Sequence, residues 1–122
     1  MDSRNIMDIK RLHVGKTLSE VAIHNGTIYL AGQIAEDTAH NIEGQTREVL
    51  GHIDRLLNEA GSDKTRILMC QIYISDVKDF NSMNEVWNEW VAAGNSPPRA
   101  TVEAKLVRPE ILVEMIVTAA QN

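Results

Sequence analysis

A chain of 122 residues, 43% of them hydrophobic and 24% charged, is long enough to bury one core, too short for two, and outside the composition of disordered proteins. Its net charge of −5 offers no basic face to a nucleic-acid backbone, so nucleic acid is not an expected partner. The segment from Met1 to Arg11 mixes Asp2, Arg4, Asp8, Lys10 and Arg11 without an apolar stretch of signal-peptide length, and no run approaches the roughly 18 apolar residues of a membrane span; one soluble, cytoplasmic domain over 1–122 is expected, with no membrane contact.

Residues 20–24 and 27–31 flank Asn25-Gly26, a pair that tolerates positive φ and suits a type I′ turn, so a β-hairpin is predicted there. The formal glycosylation sequon Asn25-Gly26-Thr27 has no use in such a turn. From 41 to 60, Val49, Leu50, Ile53, Leu56, Leu57 and Ala60 repeat with helical period and Gly61 supplies a stop. The run 67–74 is apolar on both faces and suits a central strand covered on both sides. A second helix is expected from Asp79, a suitable N-cap, carrying Phe80, Met83, Val86, Trp87, Trp90 and Val91 and ending at Gly94. Strands at 99–106 and 111–119 surround Arg108-Pro109, a turn that can pair them as a closing hairpin.

The resulting order β-β-β-α-β-α-β-β argues an α+β layer, one mixed sheet covered on one face by two helices. An uncovered apolar sheet face is rarely tolerated in a monomer, and self-association through it is the simplest remedy.

Several motifs carry no chemistry. Val14-Gly15-Lys16-Thr17 imitates the end of a phosphate loop, but the glycine required five residues before its Gly-Lys pair is Lys10. His13, His24, His40 and His52 have no helical i, i+4 pairing and no cysteine partners, so no metal is predicted. The single cysteine, Cys70, excludes an intrachain disulfide and reads as core filling. Trp87 and Trp90 could stack a base or sugar; their place on the apolar stripe favours core packing.

Two residues stand out. Glu114 is the one carboxylate in the apolar run 111–117, and buried there it must be paired, protonated or facing a wet cavity; the alternative is an edge residue facing solvent. Arg99 follows Pro97-Pro98, which stiffen its approach, and a guanidinium so held suits bidentate capture of a carboxylate; the alternative is a surface arginine paired with an acid. If the 106–110 turn pairs its flanking strands, Glu114 lies diagonally from Arg99 with room for a small ligand between them.

Gly32-Gln33-Ile34-Ala35 after the hairpin, Gln45-Thr46-Arg47, Val49-Leu50 and Ile53-Asp54 on the first helix, Asp79-Phe80, Met83-Asn84 and Trp87 on the second, then Pro98-Arg99-Ala100-Thr101-Val102-Glu103 and Val113-Glu114 together resemble the RidA (YjgF-type) family. The resemblance implies a chorismate-mutase-like fold and a homotrimer whose sheets form a central barrel, with small clefts between neighbouring subunits. It implies that Arg99 binds a substrate carboxylate and Glu114 positions the attacking water, with Gly32, Asn84 and Thr101 in the same binding site. Leu18 and Ala31 stand at binding-site positions where other members have tyrosine and serine, and these departures are similar to a YoaB-like branch.

The implied activity is hydrolysis of reactive 2-imino or enamino acids to 2-oxo acids and ammonia, with no cofactor. One rival is a non-enzymatic module that binds or senses a 2-oxo acid in the same cleft. The other is an endoribonuclease, which the acidic charge and the lack of a histidine pair for acid–base work disfavour.

Overall fold

In the computed structural model of the protein, which describes residues 8–122, Asn25 and Gly26 both take positive φ, 52° and 75°, as a two-residue type I′ turn demands. The reading of Met1 to Arg11 falls, over residues 1–7, outside the described residues. The turn joins β2 (Ser19–His24) to β3 (Thr27–Leu30), in register from Val21↔Leu30 to His24↔Thr27, and β1 (Lys10–Val14) adds to the outer edge of β2. Then come α1 (Ile42–Glu59), β4 (Ile67–Ile74), α2 (Phe80–Trp90), β5 (Arg99–Glu103) and β6 (Val113–Ala120). The six strands form one mixed sheet in the order β1-β2-β3-β6-β4-β5. No helix among the described residues is long and apolar enough to cross a membrane.

Helix α1 begins where Asn41 Oδ1 accepts the N–H of Gly44 at 3.0 Å and ends before Gly61 at φ 80°. Its buried Gln45 fastens the segment leading into β6. Nε2 donates to the carbonyls of His40 (3.1 Å) and Glu110 (3.0 Å), and Oε1 accepts from Leu112 N (3.0 Å). Helix α2 begins where expected, and departs from expectation in how that start is capped and in where it ends. Asp79 occupies its N-cap position without a capping bond, because Asp76 accepts from Lys78 N at 2.9 Å and opens a 3₁₀ turn (Val77–Asp79) that runs into the helix. The helix stops at Trp90 rather than Gly94: Val91 turns extended, and Lys64 Nζ donates to the freed Trp90 carbonyl at 2.6 Å.

The closing hairpin does not form. β5 pairs in parallel with β4 (Cys70↔Arg99 to Ile74↔Glu103), and β6 lies on the other side of β4, antiparallel to it and to β3. Helix α2 is the crossover that a parallel β4–β5 pair needs, and the 104–112 segment carries the chain past the end of β4, where Ser75 N donates to Leu112 O at 3.1 Å.

Period-two alternation then separates two faces. Ile67, Cys70, Ile72 and Ile74 of β4 and Val113, Met115, Val117 and Ala119 of β6 are buried beneath the helices with Leu50, Ile53, Leu57, Met83 and Trp87. Each buried Val, Leu, Ile or Met among them contributes roughly 1.5–3 kcal/mol. The other face stays open, with Tyr29, Met69, Val102 and Ile116 between 37% and 50% exposed. The expected cover on both sides of β4 is therefore present, within one chain, on the helical side alone.

Candidate functional site

Arg99 opens the edge strand β5, and its approach is pinned by Cys70 N donating to Pro98 O at 3.0 Å. Aligned with buried Cys70, its side chain runs to the helical side and meets three residues of α2 spaced i, i+4, i+7. Nη2 donates to Asn84 Oδ1, while the guanidinium carbon lies 5.0 Å from the Trp87 ring centroid and 5.9 Å from that of Phe80. No carboxylate among the described residues pairs with it. Its Nη1 is buried and makes no hydrogen bond. A buried charged donor without an acceptor costs about 1–3 kcal/mol or more, a cost that an arriving anion removes. Thr101, aligned with Ile72, is half-buried on the same face.

Glu114 occupies a different place. It sits between buried Val113 and Met115, is aligned with Tyr73 across β4, and so projects to the open face, half-buried. Gln33 and Met115 exchange backbone bonds of 2.8 and 3.1 Å, which lays Gly32 beside the carboxylate. A β-carbon at position 32 would meet Glu114 Oε2, so any larger residue there pushes the carboxylate aside from its present position. The neighbouring N–H groups of Ala31 and Gln33 are bonded to Glu20 O and Met115 O, whereas that of Gly32 has no partner among the described residues. Leu18, 55% exposed, stands two residues before Glu20 in the β1–β2 turn, where its carbonyl accepts from Gly15 N at 2.8 Å. The sequence resembling a phosphate loop is this turn.

The predicted residues therefore form two groups. Arg99, Asn84 and Thr101 share the helical side of β5, and Glu114, Gly32 and Ala31 lie together at the open face, with Leu18 at the same end of the hairpin. The expected diagonal gap between Arg99 and Glu114 does not exist within one chain, because β4 separates their strands and the two side chains leave opposite faces.

Sequence reasoning missed the aromatic bed beneath Arg99. The signal was Asn84, a polar residue interrupting the apolar stripe between Phe80 and Trp87. It also missed that His13 and His52 share a cavity of about 300 Å³ with Gly32, Glu20, Glu36 and Arg55. Both imidazoles there are engaged, His13 with Glu59 and His52 with Glu48 at 2.9 Å. Cys70 is buried and its thiol is pushed up to about 12 by burial, against the field of Arg99, so it is no nucleophile at neutral pH.

Comparison with known proteins finds relatives of this chain in both sequence and fold. The sequence profile of the family described as Endoribonuclease L-PSP matches residues 9–121. A RutC family protein of Haemophilus ducreyi is 46% identical over 114 residues, covering 93% of this chain and 97% of the relative. The RutC family protein YoaB of Escherichia coli is 40% identical over 114 residues, covering 93% and 99%. Among solved structures, a YjgF-family protein of Neisseria meningitidis superposes with a TM-score of 0.94 at 44% identity, covering 97% of this chain and 98% of that one. An uncharacterized protein of Pseudomonas aeruginosa gives 0.92 at 41%, covering 94% and 100%.

Proposed function

Given that the chain belongs to the Endoribonuclease L-PSP family, the group that includes the YjgF, RidA and RutC proteins, we propose that it hydrolyses small 2-imino or enamino acids to 2-oxo acids and ammonia. The observation that carries this reading is the buried, unpartnered Nη1 of Arg99. A carboxylate supplies the missing acceptor, and a carboxylate is the handle common to every 2-imino acid.

The chemistry needs one further group. Water adds through oxygen to the imine carbon, and a base carries the proton that water gives up to the imine nitrogen, leaving a carbinolamine. The same base then takes the carbinolamine hydroxyl proton and passes it to the nitrogen, so that the C–N bond breaks, ammonia departs and the C=O of the 2-oxo acid forms. Glu114 is suited to the role of base, and Gly32 N–H to hold the ligand beside it. Arg99 and Glu114 leave opposite faces, so a complete site takes Arg99 from one copy and Glu114 from a neighbour. The apolar open face of Tyr29, Met69, Val102 and Ile116 supports such an assembly, a homotrimer closed around its sheets. We place the activity in the cytoplasm.

Ammonia and 2-oxo acid release from imines generated by an amino-acid oxidase tests the reading. Wild type is expected to accelerate release and Arg99→Ala to lose the acceleration; equal rates in the two overturn it. Pure 2-oxo acid sensing becomes the reading if calorimetry shows binding that depends on Arg99 with no turnover. Phosphodiester cleavage is disfavoured by the cavity holding His13 and His52, whose walls include Glu20 and Glu36 and whose imidazoles are taken by Glu59 and Glu48.

A further inference from the structure

We propose that Trp87, seconded by Phe80, is a positioning residue for the Arg99 site, holding the guanidinium plane so that its edge alone is offered to the ligand. The proposal rests on the reading of Arg99 as a carboxylate anchor and adds what makes that anchor selective. A guanidinium on a long side chain ordinarily keeps water on both faces and many rotamers, and binding must remove both. Here the ring of Trp87 lies 5.0 Å from the guanidinium carbon and that of Phe80 at 5.9 Å, so aromatic surface replaces water where a carboxylate makes no use of it. Asn84 fixes rotation within the plane by accepting from Nη2, and Nη1 is left as the donor without a partner.

The bed is itself held from behind. Trp87 is 4% exposed and packs against Trp90 with ring centroids 5.4 Å apart and planes tilted by 53°. Trp90 is fixed in turn by three contacts. Its Nε1 donates to Asp54 Oδ2 of α1 at 2.9 Å, Lys64 Nζ reaches its carbonyl at 2.6 Å, and the same ammonium lies 5.2 Å over its ring. Nothing in that chain of contacts is needed to bury a tryptophan. Its geometric product is a ring plane fixed relative to α1, and with it the orientation of Arg99.

The test is calorimetric titration of 2-oxobutanoate into wild type, Trp87→Phe, Trp87→Leu and Arg99→Ala, with a melting curve for each. Loss of the ring face is expected to weaken binding by about 5–30-fold in Trp87→Leu, the range of a desolvated cation–π contact, and by less than about 5-fold in Trp87→Phe, which keeps a smaller face. A folded Trp87→Leu that binds like wild type overturns the proposal and leaves the anchor standing. Arg99→Ala binding like wild type removes the anchor reading itself, and the proposal with it. Should Trp87→Leu fail to fold, Trp90→Phe leaves Trp87 as the only tryptophan. Its emission is then expected to shift saturably with 2-oxobutanoate and not with 2-oxobutanamide, and unchanged emission alongside calorimetric binding overturns the proposal.

Discussion

Along β6, Val113, Met115, Val117 and Ala119 point under the helices and are at most 1% exposed, while Glu114, Ile116 and Thr118 alternate with them on the opposite side, Ile116 at 37%. The two faces share a backbone and differ in what completes them. The helical face is finished by α1 and α2 during folding. The open face combines apolar side chains with the Glu114–Gly32 contact, and no element among the described residues covers it. The proposed site divides along the same line, with Arg99 on the finished face and Glu114 on the unfinished one, which makes assembly a condition of chemistry rather than an addition to stability.

The two faces can be recombined between variant chains. Arg99→Ala and Glu114→Gln are each expected to be inactive in imine hydrolysis. Unfolded and refolded together in equal amounts, they should regain about a quarter of wild-type activity, because a cleft between two randomly drawn copies has one chance in four of receiving both intact groups. If the mixture stays as inactive as its parts, Arg99 and Glu114 do not meet between copies.

A smaller effect separates the faces by stability. Ile72→Ala removes a fully buried side chain from the helical face and is expected to cost about 2–5 kcal/mol in urea denaturation at any protein concentration. Ile116→Lys on the open face should leave the folded chain near its original stability when measured at high dilution, and should lower the mass seen in sedimentation at micromolar concentrations. A loss of stability at Ile116 as large as at Ile72, with no change in mass, would mean that the open face is not an interface.

What the sequence disclosed follows the range of the forces involved. The hairpin, α1 and the bounds of β4 were legible because Asn25-Gly26, the helical period from Val49 to Ala60 and the apolar run at 67–74 act within a few residues. The end of α2 was not legible, since Lys64, 26 residues before Trp90, supplies the terminating contact. The pairing of β5 was illegible for a related reason. Two strands around Arg108-Pro109 read locally as a hairpin, whereas a parallel partner is chosen by the crossover helix and by register across the sheet. The site shows the same division. Arg99 was marked by Pro97-Pro98 and Glu114 by its apolar neighbours, but which face each takes depends on register, and one step of register exchanges the faces.

The smallest predicted effect concerns the strap that joins the two faces. The 32–37 segment carries Gly32 to the open side, while its Glu36 and Asp37 N–H groups are accepted by Glu48 of α1, which also meets His52 at 2.9 Å. The Glu36 N–H is the largest influence holding the Glu48 carboxyl below its ordinary 4.5; Asp37 and His52 act in the same direction, against desolvation by burial. A carboxyl depressed in the folded state contributes stability that is fully present above its unfolded value and is lost as pH falls through the folded one. The melting temperature of Glu48→Gln should therefore lie slightly below wild type at pH 7, with the gap closing only as pH drops beneath 4.5. Water around this surface group screens the effect and keeps it small. A gap of constant size from pH 7 to pH 3 would show that the strap is held by shape rather than by the charge on Glu48, and that acid does not loosen Gly32 from its place beside Glu114.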